Sequence, residues 1–235
     1  GQVAATYDSG RSTTTALAFT YAIQTADSDT NGIGVNALAL DGSTIQDPLG
    51  NPLDLTLQSV GDAAGITVSG TPLVFHVDAT NGDDLNDGRN WPTAMRSLQV
   101  AINGAIQGDQ VWVKTGVHTP GSARSDAFQL RDGVGVYGGF AGDETTLAAR
   151  DIASNPTTLS GDIGTPDDPA DNSYHIILNP ATLGLDNTTV LDGFLIAGGQ
   201  ADGEGENQDS GGAILNLGAS PTIRNCHFLG NYAAS

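Results

Sequence analysis

The 235-residue chain carries 27 acidic and eight basic side chains, a formal charge of −19, which repels nucleic-acid phosphates and anionic lipid heads and makes a nucleic-acid partner unexpected. Its 32 glycines and its scarcity of Lys and Glu favour short strands joined by turns. A lone cysteine, Cys226, excludes an intrachain disulfide, and no run reaches the ~18 apolar residues of a membrane span. Membrane insertion by this segment is therefore not expected, and the opening residues Gly1–Tyr7 have neither the basic nor the apolar region of a signal peptide. The length fits one or two domains. The acidic surplus fits a high-salt milieu and a calcium-loaded extracellular protein alike, and the sequence leaves both open.

Residues 1–70 read as a turn-rich β segment. Ala16–Ile23 alternates, with Leu17, Phe19, Tyr21 and Ile23 on one face. The run Asp27-Ser-Asp-Thr-Asn-Gly32 follows, then Val35–Leu40, the loop Asp47-Pro-Leu-Gly-Asn-Pro52 and the alternating Leu53–Leu57. This series resembles the C-terminal half of the bacterial Ig-like or cadherin-like tandem repeats. There a TFTYTV strand, an acidic D-x-D-x-D/N-G loop, an N-x-L-x-L-x-G-x-T-I-x-D stretch and an A-G-N turn come in this order. The resemblance implies a partial β-sandwich whose first strands are expected to precede Gly1.

Residues 71–235 open differently. Leu73–Pro120 reads LVFHVDATNGDDLNDGRNWPTAMRSLQVAINGAIQGDQVWVKTGVHTP. Leu98, Ala101, Ile102 and Ala105 share one helical face, which predicts a short helix at about 97–105, stopped by Gly108-Asp109 before a strand at Val111–Val113. Farther on, Asp132–Gly139, Asp192–Gly199 and Arg224–Asn231 repeat one pattern: polar, small or Asn, apolar, any, apolar, any, Gly, then Gly or Asn. The spacing of the apolar positions is that of strands with one buried face, and the repeat places Val134, Phe194 and Cys226 inward. Cys226 is thus read as a small core residue rather than a nucleophile. The last two copies stand 32 residues apart. Taking out the polar run Gln200–Ser210 as an insertion leaves about twenty residues, one circuit of a β-solenoid.

Leu73–Pro120 resembles the opening of right-handed parallel β-helix proteins of the pectin-lyase-like superfold, with Met95 where Phe is usual and His118 where Tyr is usual. Gly211-Gly-Ala-Ile214 and Phe228-Leu-Gly-Asn231 are similar to the paired G-G-A-I and F-x-x-N motifs of polymorphic outer-membrane protein repeats. Together these resemblances imply an all-β chain: a partial Ig-like β-sandwich leading into a right-handed parallel β-helix with an N-terminal capping helix. Asn225 and Asn231 are expected at turns, where their side chains can bond along a ladder. The repeat is expected to continue past Ser235.

The chemistry divides three ways. A lyase of this superfold needs a basic residue with carboxylates or calcium, and a hydrolase needs two facing carboxylic acids. Lys114 lies too near the capping helix, Arg131 and Arg224 are expected to face solvent, and the pairs Asp83/Asp84 and Asp167/Asp168 lie in turns, so no catalytic residue is assigned. Calcium takes six to eight oxygens from Asp, Asn and carbonyls in glycine-containing loops. Its expected ligands are Asp27, Asp29 and Asn31 in one loop and Asp83, Asp84, Asn86 and Asp87 in a second, with Gly161–Asp171 a third acidic loop. Leu38 stands where an EF-hand needs Glu, so no EF-hand is implied. The alternative is acidic turns solvated by water. His76, His118, His175 and His227 show no metal spacing, and His76 and His227 are expected on solvated strand faces.

The expected role is a non-catalytic structural or adhesive segment of a large secreted or cell-surface bacterial protein, stiffened by calcium. It would meet surface glycans or copies of itself, by strand exchange or end-to-end packing. The alternatives are a polysaccharide lyase or glycoside hydrolase with its catalytic coils outside residues 1–235, and an autotransporter passenger.

Overall fold

The computed structural model describes residues 4–12, 18–21, 28–29, 46, 50–52, 68–69 and 72–235. The chain divides into two compact units, Gly1–Thr71 and Pro72–Ser235. In the first, β1 (Thr6–Asp8) pairs antiparallel with β2 (Ala18–Thr20), and Tyr7 meets its partner Phe19 edge-on with centroids 5.9 Å apart. The Asp8 carboxylate accepts the N–H groups of Gly10 and Arg11, which closes the turn after β1. A second antiparallel pair joins β3 (Ser28–Asp29) to β4 (Val68–Ser69). Two antiparallel pairs are what is described of the expected sandwich; Val35–Leu40 and Leu53–Leu57 lie outside the described residues.

The second unit is built of short parallel strands, in chain order β5 (Val74–Val77), β6 (Gln110–Lys114), β7 (Gly116–His118), β8 (Gly135–Phe140), β9 (Thr157–Ser160), β10 (Ile177–Asn179), β11 (Val190–Asp192) and β12 (Leu195–Ala197). Then come β13 (Gln200–Ala201), β14 (Ile214–Asn216), β15 (Thr222–Arg224), β16 (His227–Leu229) and β17 (Tyr232–Ala233). One five-stranded parallel sheet runs β5-β6-β8-β11-β15 and a four-stranded parallel sheet runs β7-β9-β12-β16. The parallel pairs β10-β14 and β13-β17 complete the ladders. Strand order follows the chain in every sheet, so each passage of the chain lays its strands on those of the passage before.

Register turns the alternation of each strand into a column. Phe75, Val111, Val136, Leu191 and Ile223 are neighbours across the five-stranded sheet, and all of them belong to or pack on one apolar core. The helix α1 (Leu98–Gly104) forms where the spacing predicts it, and Leu98, Ala101 and Ile102 bury into the same core together with Ala105. The free edge of β5 is covered by the segment that leads to α1. His76 donates its N–H to Gly88 O and Asp78 donates to Met95 O, at 2.8 and 2.9 Å, and Met95 donates back to His76 O. That covering removes an unpaired strand edge.

The internal repeat holds for two copies and fails for the third. Asp192 pairs with Arg224 and Leu195 with His227, as the matched sentences require. On its other side Asp192 stands beside Tyr137 rather than Asp132, and Gly133 donates to Thr189 Oγ1 at 3.0 Å. Asp132-Gly133 is a left-handed turn that leads into β8, whereas Asp192-Gly193 leaves β11. The two look alike because a polar-Gly turn has the same chemistry at either end of a strand. Val134 is buried, but in the column of Thr189 and not of Phe194. Cys226 does lie one passage beyond Phe194 and packs half-buried on the core. The expected insertion also shrinks, since Gln200–Ala201 is a strand with Ala201 buried and the excursion begins at Asp202.

Candidate functional site

Four places in the second unit concentrate polar chemistry, and the first is the expected calcium loop at Asn81–Gly88. Its acidic side chains do not converge on a common point; each receives donors from a different part of the fold. Asp84 accepts the N–H groups of Arg96 and Ser97 at 3.0 and 2.8 Å and the Ser97 hydroxyl at 2.6 Å. Ser97 is the N-cap of α1 and makes no side-chain cap of its own, so Asp84 supplies the oxygens at the start of the helix from outside it. Asp87 accepts Arg89 N–H and the Thr93 hydroxyl, Asp83 accepts Leu85 N–H, and Asn86 donates to Ala94 O. These bonds hold the Asp87 carboxyl below the ordinary carboxylate range, the Arg89 N–H being the largest cause. For Asp84 burial acts upward and is outweighed by the Ser97 and Arg96 donors.

Asp78, just ahead of this loop, was not among the expected ligands, yet its carboxyl is strongly perturbed. It receives Thr80 and Asn81 N–H groups and a 2.7 Å ion pair from Lys114. Burial raises its pKa, and the Lys114 ammonium with the Asn81 and Thr80 donors more than reverses that, bringing it to about 2. Asp27 and Asn31 of the first expected loop lie outside the described residues, and of Asp29 only the backbone, in β3, is described. Among the described residues no group of three or more His, Cys, Asp or Glu side chains is arranged to hold a metal ion.

The second place is the loop Gly161–Ser173, where the polar atoms are not all met. Asp162 Oδ2 accepts Asp167 N–H, Asp171 Oδ2 accepts Thr165 N–H, and Asp168 Oδ1 accepts Ala170 N–H. Asp171 Oδ1, Asn172 Oδ1 and the Ser173 hydroxyl are buried and have no partner. Asn172 is 8% exposed and Ser173 0%, so bulk water does not reach them freely, and each such atom costs about 1–3 kcal/mol if left dry. A further orphan, Asp132 Oδ1, stands elsewhere.

The third place is a buried carboxylate at the turn between β11 and β12. Asp192 is 1% exposed and takes 2.8 Å contacts from Arg150 Nη2, Arg224 Nε and Asn225 Nδ2. Burial pushes its pKa up, and Asn225, Arg150 and Arg224 outweigh that and hold the group below the usual range. Arg224 is exposed over about half of its side chain (53%), in line with the expected solvent-facing position, while its Nε is tied to the passage before it. Asn225 has φ +51, the left-handed turn that Asn tolerates, and Asn231 bonds both Gly199 N–H and Ile196 O. Asn179 and Asn216 add a side-chain bond of 2.8 Å across β10 and β14. Ladder roles for Asn225 and Asn231 are as expected; the Asn179–Asn216 pair went unread, although both end matching Ile-Leu-Asn strands.

The fourth place is the outer face of the five-stranded sheet. His76, Trp112 and Tyr137 are consecutive in one outward column that continues to Asp192. The column is covered, not solvated: His76 lies 4.6 Å from the Trp91 ring and 5.5 Å from Trp112, and Trp112 stacks on Phe140 at 4.8 Å. Trp91 donates to Glu144 O, tying the two covering loops together. His76 is thus buried, contrary to expectation, and burial lowers its pKa, partly offset by its bond to Gly88 O. His118 is buried likewise and lowered by burial; His227 is exposed, as expected.

Beside Tyr137 an open groove of about 340 Å³ is lined by Gln107, Asp109, Gln110 and Thr188 with glycines between. Its one carboxylate, Asp109, accepts Leu73 N–H with Oδ1 and Ile106 N–H with Oδ2, both at 2.8 Å. The groove therefore pairs no second acid with it. No helix among the described residues is long and apolar enough to cross a membrane. Comparison with protein-family models, with curated proteins and with solved structures finds no match.

Proposed function

We propose that residues 71–235 form part of a right-handed parallel β-helix that serves as a non-catalytic scaffold, in the structural or adhesive role of a secreted or cell-surface bacterial protein. The observation that carries this reading is the sequential parallel stacking: four ladders grow in chain order, with β5 covered and α1 seated in the core. Stacked passages of this kind derive stability from nearest-neighbour contacts and make extended rods with loops displayed along one side. The buried carboxylates of Asp78 and Asp192 are occupied by Lys114 and by Arg150 and Arg224, which fits structural connections between passages better than acid–base chemistry.

Surface glycans are the proposed partners, together with copies of the chain through strand exchange or end-to-end packing. The test is to incubate the chain with pectin, alginate and neutral glycans, reading binding on immobilised glycans and products in solution. Saturable binding with the glycan intact is the expected result. Unsaturated or new reducing ends would overturn the scaffold reading in favour of a polysaccharide lyase or hydrolase, for which the groove beside Tyr137 is the place to look.

A further inference from the structure

Asp171 Oδ1 and Asn172 Oδ1 are acceptors without donors on consecutive residues, and the Ser173 hydroxyl follows them unpartnered and fully buried. Both belong to the edge of one acidic loop. A Cβ placed on Gly164 would run into both oxygens of Asp171, so that carboxylate points across the loop. The Asn172 carboxamide and Asp162 flank Gly198 together: a Cβ there would stand 3.6 Å from Asn172 Nδ2 and 3.4 Å from Asp162 N. The remaining half of the carboxamide is fixed, since Nδ2 donates to Gly198 O at 2.8 Å, so Oδ1 is the atom left over and cannot be satisfied by turning the amide around.

What could satisfy these oxygens is limited by charge. Asp162, Asp167, Asp168 and Asp171 fall within ten residues of sequence, and the neighbouring cation, Arg124, is bonded to other oxygens. Its guanidinium donates to Asn172 O and Gln200 O, pairs with Asp202 and lies 4.2 Å over the Tyr174 ring. Buried acceptors in an acidic loop, left without a donor by the Arg124 guanidinium that bonds the neighbouring main chain, ask for a bound cation more than for a neutral water. Carboxylate, amide and main-chain carbonyl oxygens from one short loop are the mixed hard-oxygen set that calcium takes. Such a set needs only one or two carboxylates, the remaining oxygens coming from amides and main-chain carbonyls.

We propose that Gly161–Ser173 is a calcium site, with Asp171 Oδ1 and Asn172 Oδ1 as ligands and Asp162 and loop carbonyls completing the shell. Bound there, the ion ties the excursion after β9 to Gly198 at the end of β12, so it fastens one passage to the next.

The experiment is calorimetric titration of calcium into the intact 235-residue chain after chelation, repeated for Asp171→Asn and for Asp84→Asn, with far-ultraviolet circular dichroism to verify folding. The wild-type chain is expected to bind one ion in this loop with a dissociation constant of about 10⁻⁴–10⁻³ M, the range of extracellular modules. Asp171→Asn is expected to weaken that binding at least tenfold and Asp84→Asn less than twofold. If Asp171→Asn does not fold, Asp162→Asn carries the same expectation. The absence of saturable uptake by the wild-type chain, meaning a site that holds water only, overturns the proposal. So does equal weakening by the Asp84 and the loop variants.

Discussion

In the loop Asn81–Gly88 the Asp84 carboxylate receives three donors from the start of α1, whereas in Gly161–Ser173 the Asp171 and Asn172 oxygens keep one atom each that receives none. Both loops are rich in Asp, Asn and Gly, and both satisfy the same compositional description of a calcium loop. Position relative to a helix separates them. Ser97 is the N-cap of α1 and Arg96 precedes it, at the helix end where N–H groups lack intrahelical partners, and the nearby loop supplies the missing oxygens. The strand β9 ends in no such reservoir of donors, so the loop after it is left with acceptors in excess. Residue type reports what a loop can bind; its lone pairs report whether it already has.

The largest effect that would sharpen this contrast comes from a carboxylate that is wholly engaged. Asp192→Ala strips Arg150, Arg224 and Asn225 of their shared partner inside the fold, and is expected to cost about 3 kcal/mol or more in urea unfolding, with no dependence on calcium. Next comes acid. Asp78 is depressed to about 2 from 3.8, so its contribution is fully present above about pH 4 and is lost as pH falls through about 2, about 2 kcal/mol in all. His76 and His118, lowered by burial, act sooner: the unfolded chain takes up their protons first, so stability begins to fall below about pH 6.5. A pH series of unfolding midpoints should show both steps, and Lys114→Met should move the lower one upward.

Smaller still is Asp84→Ala, expected to cost about 1–2 kcal/mol through lost capping of α1, read by the same unfolding and unchanged by calcium. The least effect on intrinsic stability is expected at Asp171→Asn, under about 0.5 kcal/mol in chelator. That variant should nevertheless abolish any rise in the thermal midpoint that calcium gives the wild-type chain. A large loss in chelator, equal to that at Asp84, would erase the distinction between the loops.

Much of the fold could be read from residues alone where the relevant contacts are local. The helix at Leu98–Gly104 follows from four apolar side chains at helical spacing, and the 32-residue repeat at Asp192 and Arg224 follows from two adjacent passages of similar build. Asp132 misled because pairing across passages is set by the lengths of the loops between β8 and β11, which a turn motif does not report. His76 misled for a related reason: it does sit on the outward column, but Trp91 and the loop holding Glu144 cover that column. Outward on a strand is not the same as wet.

The site was legible only as composition. Asp83, Asp84, Asn86 and Asp87 have the right atoms, but Leu85 occupies Asp83, Arg89 and Thr93 occupy Asp87, and Arg96 and Ser97, up to 13 residues away, occupy Asp84. Asp78 and Asp192 carry no ion-pair signal in the sequence because their partners are brought in by tertiary folding, Lys114 from β6 and Arg150 from the connection between β8 and β9. Asn172 and Ser173 look like ordinary turn residues until their burial and the fixed Asn172 amide are known.

Hydrogen exchange of the wild-type chain, followed amide by amide with calcium and with chelator, probes the two loops in one sample. A cation at Asp171 and Asn172 is expected to slow exchange at Thr165, Asp167 and Ala170, whose N–H groups bond the loop carboxylates, and to leave Leu85, Asn86 and Gly88 unchanged. Equal exchange in both conditions throughout Gly161–Ser173, or protection gained at Asn81–Gly88 instead, would contradict it.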